Sequence, residues 1–245
     1  MFSEAYRDTF RIFSTSHLVA ILVILFFCLL IFLNRKTIKK KYYNMRYVFA
    51  VLTILQEVSL NVVRIINNEW TIAKSLPLQL CGIAVILTSV ILVTENKKLF
   101  LNTFFVMLIG AIMAILTPAI ENGYGVPHYR FFQFFFSHGM IVANFVFILF
   151  VMEYGKEFRY KNVYRNVVFL LGVAVFNFGI NLITGGNYMY LMGKPGENTA
   201  FDLFGDHPWY ILNILLFGIP VLLHLFYVPF YLYNKKQINL INKEA

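Results

Sequence analysis

The sequence predicts an all-α fold: a polytopic membrane protein in which one domain, residues 1–245, forms a bundle of seven transmembrane helices. Three observations support this. First, 59% of the residues are hydrophobic and only 13% charged, with a mean hydropathy of +0.68, more apolar surface than a soluble domain can bury. Second, apolar runs near the ~20 residues that cross a bilayer recur along the whole chain. Third, Lys and Arg are shared unevenly between alternate connections. One set carries 15 and the other 5, with Arg64 inside a span. Short cytoplasmic loops hold the positive excess, so the N-terminus is expected outside and the C-terminus in the cytoplasm.

The runs fall at 17–33, 47–66, 76–93, 99–120, 131–152, 164–184 and 208–233. The first is followed by Asn34-Arg35-Lys36 and Lys39-Lys40-Lys41 rather than by a small-residue cleavage site, so it is expected to stay as an anchor. On the second, Thr53, Glu57, Asn61 and Arg64 share one helical face, which must point into the bundle. Ser75 is expected to cap the third helix, with Pro77 in its first turn, where a missing N–H costs little. Gly185-Gly186 should end the sixth, and Trp209 and Tyr210 should open the seventh at interfacial depth. The connection 185–207 is the longest, with no sign of a separate soluble domain.

Several function classes fall away. The net charge of +9 lies in short loops between apolar runs, which is membrane topology rather than a nucleic-acid surface. No HExxH, P-loop or GxGxxG motif occurs. Cys28 and Cys81, the only cysteines, both lie in apolar runs, so neither a disulfide framework nor a thiolate metal site is supported. Neither metal nor cofactor is expected. The expected partners are the lipids of the cell membrane.

Ionisable and polar groups within spans carry the functional signal, because a charge near a span centre costs ~2.5–3.5 kcal/mol even on the lenient insertion scale. Counting from the outer helix ends at 1.5 Å per residue puts Cys81 and Asn213 about 7.5 Å deep, His138 and Asn177 about 10.5 Å and Asn181 about 4.5 Å. Glu57 and Arg64 belong to the same layer or just below it. A polar chamber opening outward is implied. Each residue also has a bland explanation: membrane asparagines commonly glue helices together, and a cysteine often acts as a small hydrophobe. Cys28 sits mid-span among Leu and Phe, and His17, His128 and His224 lie away from the layer, so all four read as structural.

A thiol beside a histidine base is the minimal pair for acyl transfer. Leu76-Pro77-Leu78-Gln79-Leu80-Cys81, Phe135-Phe136-Ser137-His138-Gly139, Asn187-Tyr188-Met189-Tyr190-Leu191 with Lys194-Pro195, and Pro208-Trp209-Tyr210 resemble the YwaF-like bacterial membrane proteins over most of the chain. Through them the chain is similar to animal multi-pass acyltransferases that move a polyunsaturated acyl chain onto lyso ether phospholipids. The resemblance implies Cys81 as nucleophile and His138 as its partner. It departs at Gln79, where the family pattern commonly has histidine. The function expected is therefore transfer of an acyl chain between phospholipid and lysophospholipid at an outward-facing Cys81/His138 site. Glu57, Arg64, Asn177, Asn181 and Asn213 would bind the substrate. The alternative is a non-enzymatic carrier or binding protein in which the same charged and amide groups line a path for a small polar solute or lipid.

Overall fold

The computed structural model describes residues 10–120, 123–195 and 200–244, and these are helical with short connections. Helix α1, Thr15–Leu33, starts at Ser14, whose Oγ accepts from the His17 amide. A short basic helix α2, Arg35–Lys41, follows at once. Helix α3, Met45–Ile66, buries Arg46, Phe49, Ala50, Thr53, Gln56 and Leu60, with Glu57, Asn61 and Arg64 half-buried beside them. The polar face therefore turns inward, as the cost of charge in lipid demands.

Helix α4 spans only Leu80–Thr94, which corrects the expected start. Residues 76–79 form a turn instead, so Pro77 lies outside the helix and Ser75 does not cap it. The Ser75 hydroxyl accepts from the Thr71 amide. The cause is a tight return of the chain: a Cβ on Gly82 would sit 2.8 Å from the Pro77 carbonyl carbon, a contact only glycine permits. Thr94 precedes Glu95, which closes the helix with a left-handed φ of 56°.

Helix α5, Lys97–Leu116, bends by 42° between Lys97–Phe105 and Met107–Leu116. Asn166 from the neighbouring helix inserts at the bend: its Oδ1 accepts from the Phe105 amide at 2.9 Å, and its Nδ2 donates to the Leu101 carbonyl at 2.8 Å. A side chain inserted into the backbone ladder is a recognised cause of such a kink. Helix α6, Tyr129–Val146, continues through a π-helical turn at Phe147–Val151. Helix α7, Tyr160–Thr184, ends at Gly185 with φ 67°, as expected. Helix α8, Trp209–Asn213, passes through a second π-helical turn, Ile214–Gly218, into α9, Ile219–Glu244.

Among the described residues, five helices are long and apolar enough to cross a membrane, or six if the bent α5 counts as one span. The expected count of seven is therefore not reached on length alone, because α4 has 15 residues, about 22 Å at 1.5 Å per residue, against a hydrocarbon core of about 30 Å. Helix α6 is the central one: 67% of its span is buried, against 11% for α1 and α7 and 6% for the last span. Helices α3, α4 and α5 pack around it, with α1 against its other side. The core is rich in phenylalanine, with Phe104 touching Phe100, Phe105, Phe145, Phe158 and Phe230 at ring distances of 4.6–5.4 Å.

Contacts between connections sort them to two ends. At one end Lys39 and Lys156 pair with Glu153, Lys97 pairs with Glu157 at 2.6 Å, and Arg46 pairs with Glu95 at 2.7 Å. At the other, Phe10 donates to the Gly123 carbonyl at 2.7 Å, and Tyr188 Oη bonds Ile72 and Leu76.

A candidate acyl-transfer site at the start of α4

Three of the motif segments, 76–81, 187–191 and 208–210, far apart in sequence, meet over the first turn of α4. Gln79, the residue before that helix, clips the strap 187–191 with both ends of its amide: Nε2 donates to the Asn187 carbonyl at 3.2 Å, and Oε1 accepts from the Met189 amide at 2.8 Å. Tyr188 is buried; its Oη donates to the Ile72 carbonyl at 2.5 Å and accepts from the Leu76 amide at 3.1 Å. Tyr210 Oη donates to the Tyr190 carbonyl. The Asn187 side chain accepts from the Met192 amide and donates to the Gly193 carbonyl, which closes the strap on itself. Met189 and Tyr190 hold consecutive left-handed φ values of 56° and 55°, a strained pair for residues with side chains that these bonds keep in place.

Beneath this strap Cys81 is the second residue of α4 and is half-buried against the core. It thus lies in the helix's first turn, shallower in the helix than counting from Leu76 suggested. The first bond of the α4 ladder at this end runs from Ile83 N to Gln79 O. The Cys81 and Gly82 amides are therefore left outside the ladder, as the opening amides of any helix are.

His138 lies on α6, the helix on which α4 packs, and only 5% of it is exposed. Its Nδ1 is 2.7 Å from the Phe134 carbonyl. A carbonyl oxygen only accepts, so Nδ1 carries the hydrogen, and in the neutral ring Nε2 presents a lone pair. That Nε2 is buried with no hydrogen-bond partner. The thiol of Cys81 and the ring of His138 are accordingly not hydrogen-bonded to each other.

The remaining expected site residues divide between open and committed roles. Glu57 interacts electrostatically with Arg64, Arg130 and Cys81, and its carboxylate is 3.5 Å from Asn61 Nδ2. Arg64 Nη1 reaches the Lys74 carbonyl at 3.4 Å. Asn177 is fully buried and holds the Leu78 carbonyl at 2.9 Å, three residues before Cys81, while its Oδ1 has no partner. Asn181 engages the Tyr188 backbone at both ends, accepting at 2.8 Å and donating at 3.0 Å. Asn213 donates to the Phe204 carbonyl at 2.9 Å. Three of the other histidines are bound as structural groups: His17 to Ile115, His128 as the cap of α6, and His224 to Pro220.

Sequence reasoning missed a buried polar relay between α3 and α6. Arg130 donates to Gln133 Oε1, and Gln133 Nε2 donates to Gln56 Oε1 at 2.8 Å. Arg130 also lies within electrostatic range of Glu57, Cys81 and His138. The available signal was an Arg and a Gln three apart at the mouth of a span, which reads as an interfacial residue and a packing amide until α3 is placed beside them. A second missed group is Asn144, whose Nδ2 joins Thr53 and Thr88 at 2.8 and 3.4 Å. Among the described residues no cluster of His, Cys, Asp and Glu is placed to hold a metal ion.

A model of the TMEM164 family matches residues 12–227, nearly the whole chain. No curated protein and no solved structure matches it. The YwaF-like designation stays a resemblance.

Proposed function

The chain belongs to the TMEM164 family of membrane proteins, and we propose that it is a transacylase that moves an acyl chain from a phospholipid to a lysophospholipid through a thioester on Cys81. The observation that carries this reading is the buried, partnerless lone pair of His138 Nε2, in a helix packed against the one whose second residue is Cys81. An unsatisfied polar atom in an apolar interior costs about 1–3 kcal/mol, so its retention calls for a functional reason.

In the proposed reaction His138 Nε2 takes the Cys81 proton as the sulfur attacks an ester carbonyl. The S–C bond forms and the C–O bond breaks. The departing lysophospholipid oxygen takes the proton back from His138. A second lysophospholipid hydroxyl then gives its proton to Nε2 and attacks the thioester, and the released Cys81 sulfur is reprotonated. The Cys81 and Gly82 amides supply donors for the carbonyl oxygen as it becomes negative. The thiol and imidazole close to hydrogen-bond distance when substrate is seated, since catalytic hydrogen bonds tighten in the reactive complex. Glu57 and Arg64 line the approach, Asn177 fixes the turn before Cys81, Asn181 holds the strap, and Asn213 ties the end of α8 to Phe204. No metal or nucleotide enters the scheme.

The finer topology belongs to the same proposal: seven crossings, counting the short α4, with the N-terminus outside, the C-terminus cytoplasmic and the site facing out. The sorting of connections to two ends supports it, since the ion-paired end carries the basic segments.

The test is chemical trapping. Purified protein given a phospholipid with a labelled acyl chain should retain label that hydroxylamine releases. Cys81→Ser should retain none and His138→Ala very little, with both variants folded. Cys28→Ser should behave like the native protein. A carrier predicts the opposite pattern: no trapped acyl group, a nearly silent Cys81→Ser, and loss of ligand binding in Glu57→Gln or Arg64→Gln.

A further inference from the structure

The relay from Gln56 through Gln133 to Arg130 has a polar cost that packing alone does not explain. Gln133 and Gln56 are 7% and 5% exposed, and they are joined amide to amide at 2.8 Å between α3 and α6. Their joint effect is to fix one end of the Arg130 side chain, since Gln133 Oε1 accepts from its guanidinium. Arg130 lies in the first turn of α6, on the same stripe as Phe134 and His138, at spacings of four and eight residues. Two helical turns separate Arg130 from His138, about 12 Å along the axis at 1.5 Å per residue. A glycerol lipid laid along that stripe would put its phosphate at one end and an ester carbonyl at the other.

We propose that Arg130 is the phosphate anchor of the site, held by Gln133 and Gln56 so that a phosphodiester seated on its guanidinium places the neighbouring ester beside His138. The assignment deepens the acyl-transfer reading and rests on it for the identity of the ester. The chemistry suits the residue: a planar guanidinium binds phosphate oxygens with paired, directed hydrogen bonds, which a lysine cannot reproduce. The ligand class is a phosphodiester carried on a glycerol lipid.

The experiment measures binding, so that it does not depend on acyl transfer. The probes are a short-chain diether phosphatidylcholine, which has the phosphate but no ester, and the matching diether glycerol, which has neither. Native protein should bind the first more tightly than the second. Arg130→Gln should lose about ten-fold or more in affinity for the phosphatidylcholine and keep its affinity for the diether glycerol. Arg130→Lys should recover only part of the loss, and Gln133→Leu should fall between native and Arg130→Gln. Equal affinity of native protein and Arg130→Gln for the phosphatidylcholine would overturn the assignment, as would a parallel loss for both probes. Competition by inorganic phosphate at concentrations matching the lipid would reduce the site to a plain anion site and also overturn it. Failure of acyl trapping beside a positive binding result would remove the transacylase reading and leave the anchor standing.

Discussion

At the scale of single residues, the interior sorts its polar groups into those whose bonds are closed and those left open. Asn144 is of the first kind on its donor side. Its amide joins Thr53 and Thr88, but each threonine hydroxyl already donates to its own helix, Thr53 to Phe49 at 2.7 Å and Thr88 to Ala84 at 2.8 Å. Removing the amide therefore strands no donor. Interhelical hydrogen bonds in membrane bundles average about 0.6 kcal/mol, so Asn144→Leu should lower the unfolding free energy by no more than about 1 kcal/mol. Thermal unfolding in detergent checks this, and collapse of the protein would mean that the amide specifies the α3–α4–α6 packing. His138 is of the second kind. His138→Gln keeps a polar side chain but has no titratable base, so acyl trapping should fall at least a hundred-fold while thermal stability stays nearly native. The histidine was legible in the sequence because its motif stood out. The partnerless Nε2 was not, since it depends on Phe134 one turn earlier capturing Nδ1.

At the scale of elements, periodicity located the apolar runs well and misjudged where one of them becomes helix. Run 76–93 contains proline, and proline in a first turn is common, so the sequence supported a start at Ser75. The structure delays it to Leu80 because the chain folds back until Pro77 lies against Gly82. That contact cannot be read from spacing, because it depends on a strap more than a hundred residues later clipping Gln79. Two predictions follow from this geometry. Gly82→Ala inserts a methyl group into backbone 2.8–2.9 Å away and should cost about 1–3 kcal/mol, with the turn 76–79 displaced. Gln79→Leu removes both ends of the clip, leaving the Asn187 carbonyl and Met189 amide without that partner. Hydrogen exchange at 187–191 should then rise well above native while the amides of α6 stay protected. Unchanged exchange across the strap would mean that Tyr188 and Asn181 hold it without help. The strain stored at Met189 and Tyr190 argues for release, because left-handed backbone at non-glycine residues persists only while its surroundings enforce it.

For the whole molecule, composition alone announced a membrane protein, and charge placement announced its two ends. The number of crossings was less legible, because apolar run length does not show where a helix begins or bends. Ion pairs join two of the basic connections: Lys39 and Lys156 converge on Glu153, so the α1–α3 connection is tied to the α6–α7 connection. Those two lysines hold the Glu153 carboxyl down at about 2, from an ordinary value of 4.5. Because the carboxylate is the form that pairs, its contribution is complete above about pH 4.5 and is lost as pH falls towards 2. The pair is partly solvated, so the effect on stability is small and screened by salt. If the ion-paired end is cytoplasmic, an exposed position there must be closed to an impermeant maleimide in intact cells, and one in the opposite connection must be open to it. Lys40→Cys, on the exposed face of α2, and Leu203→Cys, 85% exposed in the connection before α8, sample the two ends. Each is best made in a Cys28→Ser, Cys81→Ser background, so that a native thiol cannot report. Leu203→Cys should label fully from outside, and Lys40→Cys only after the membrane is opened. The reverse pattern would turn the start of α4, and Cys81 with it, towards the cytoplasm. The donor lipid would then have to come from the inner leaflet.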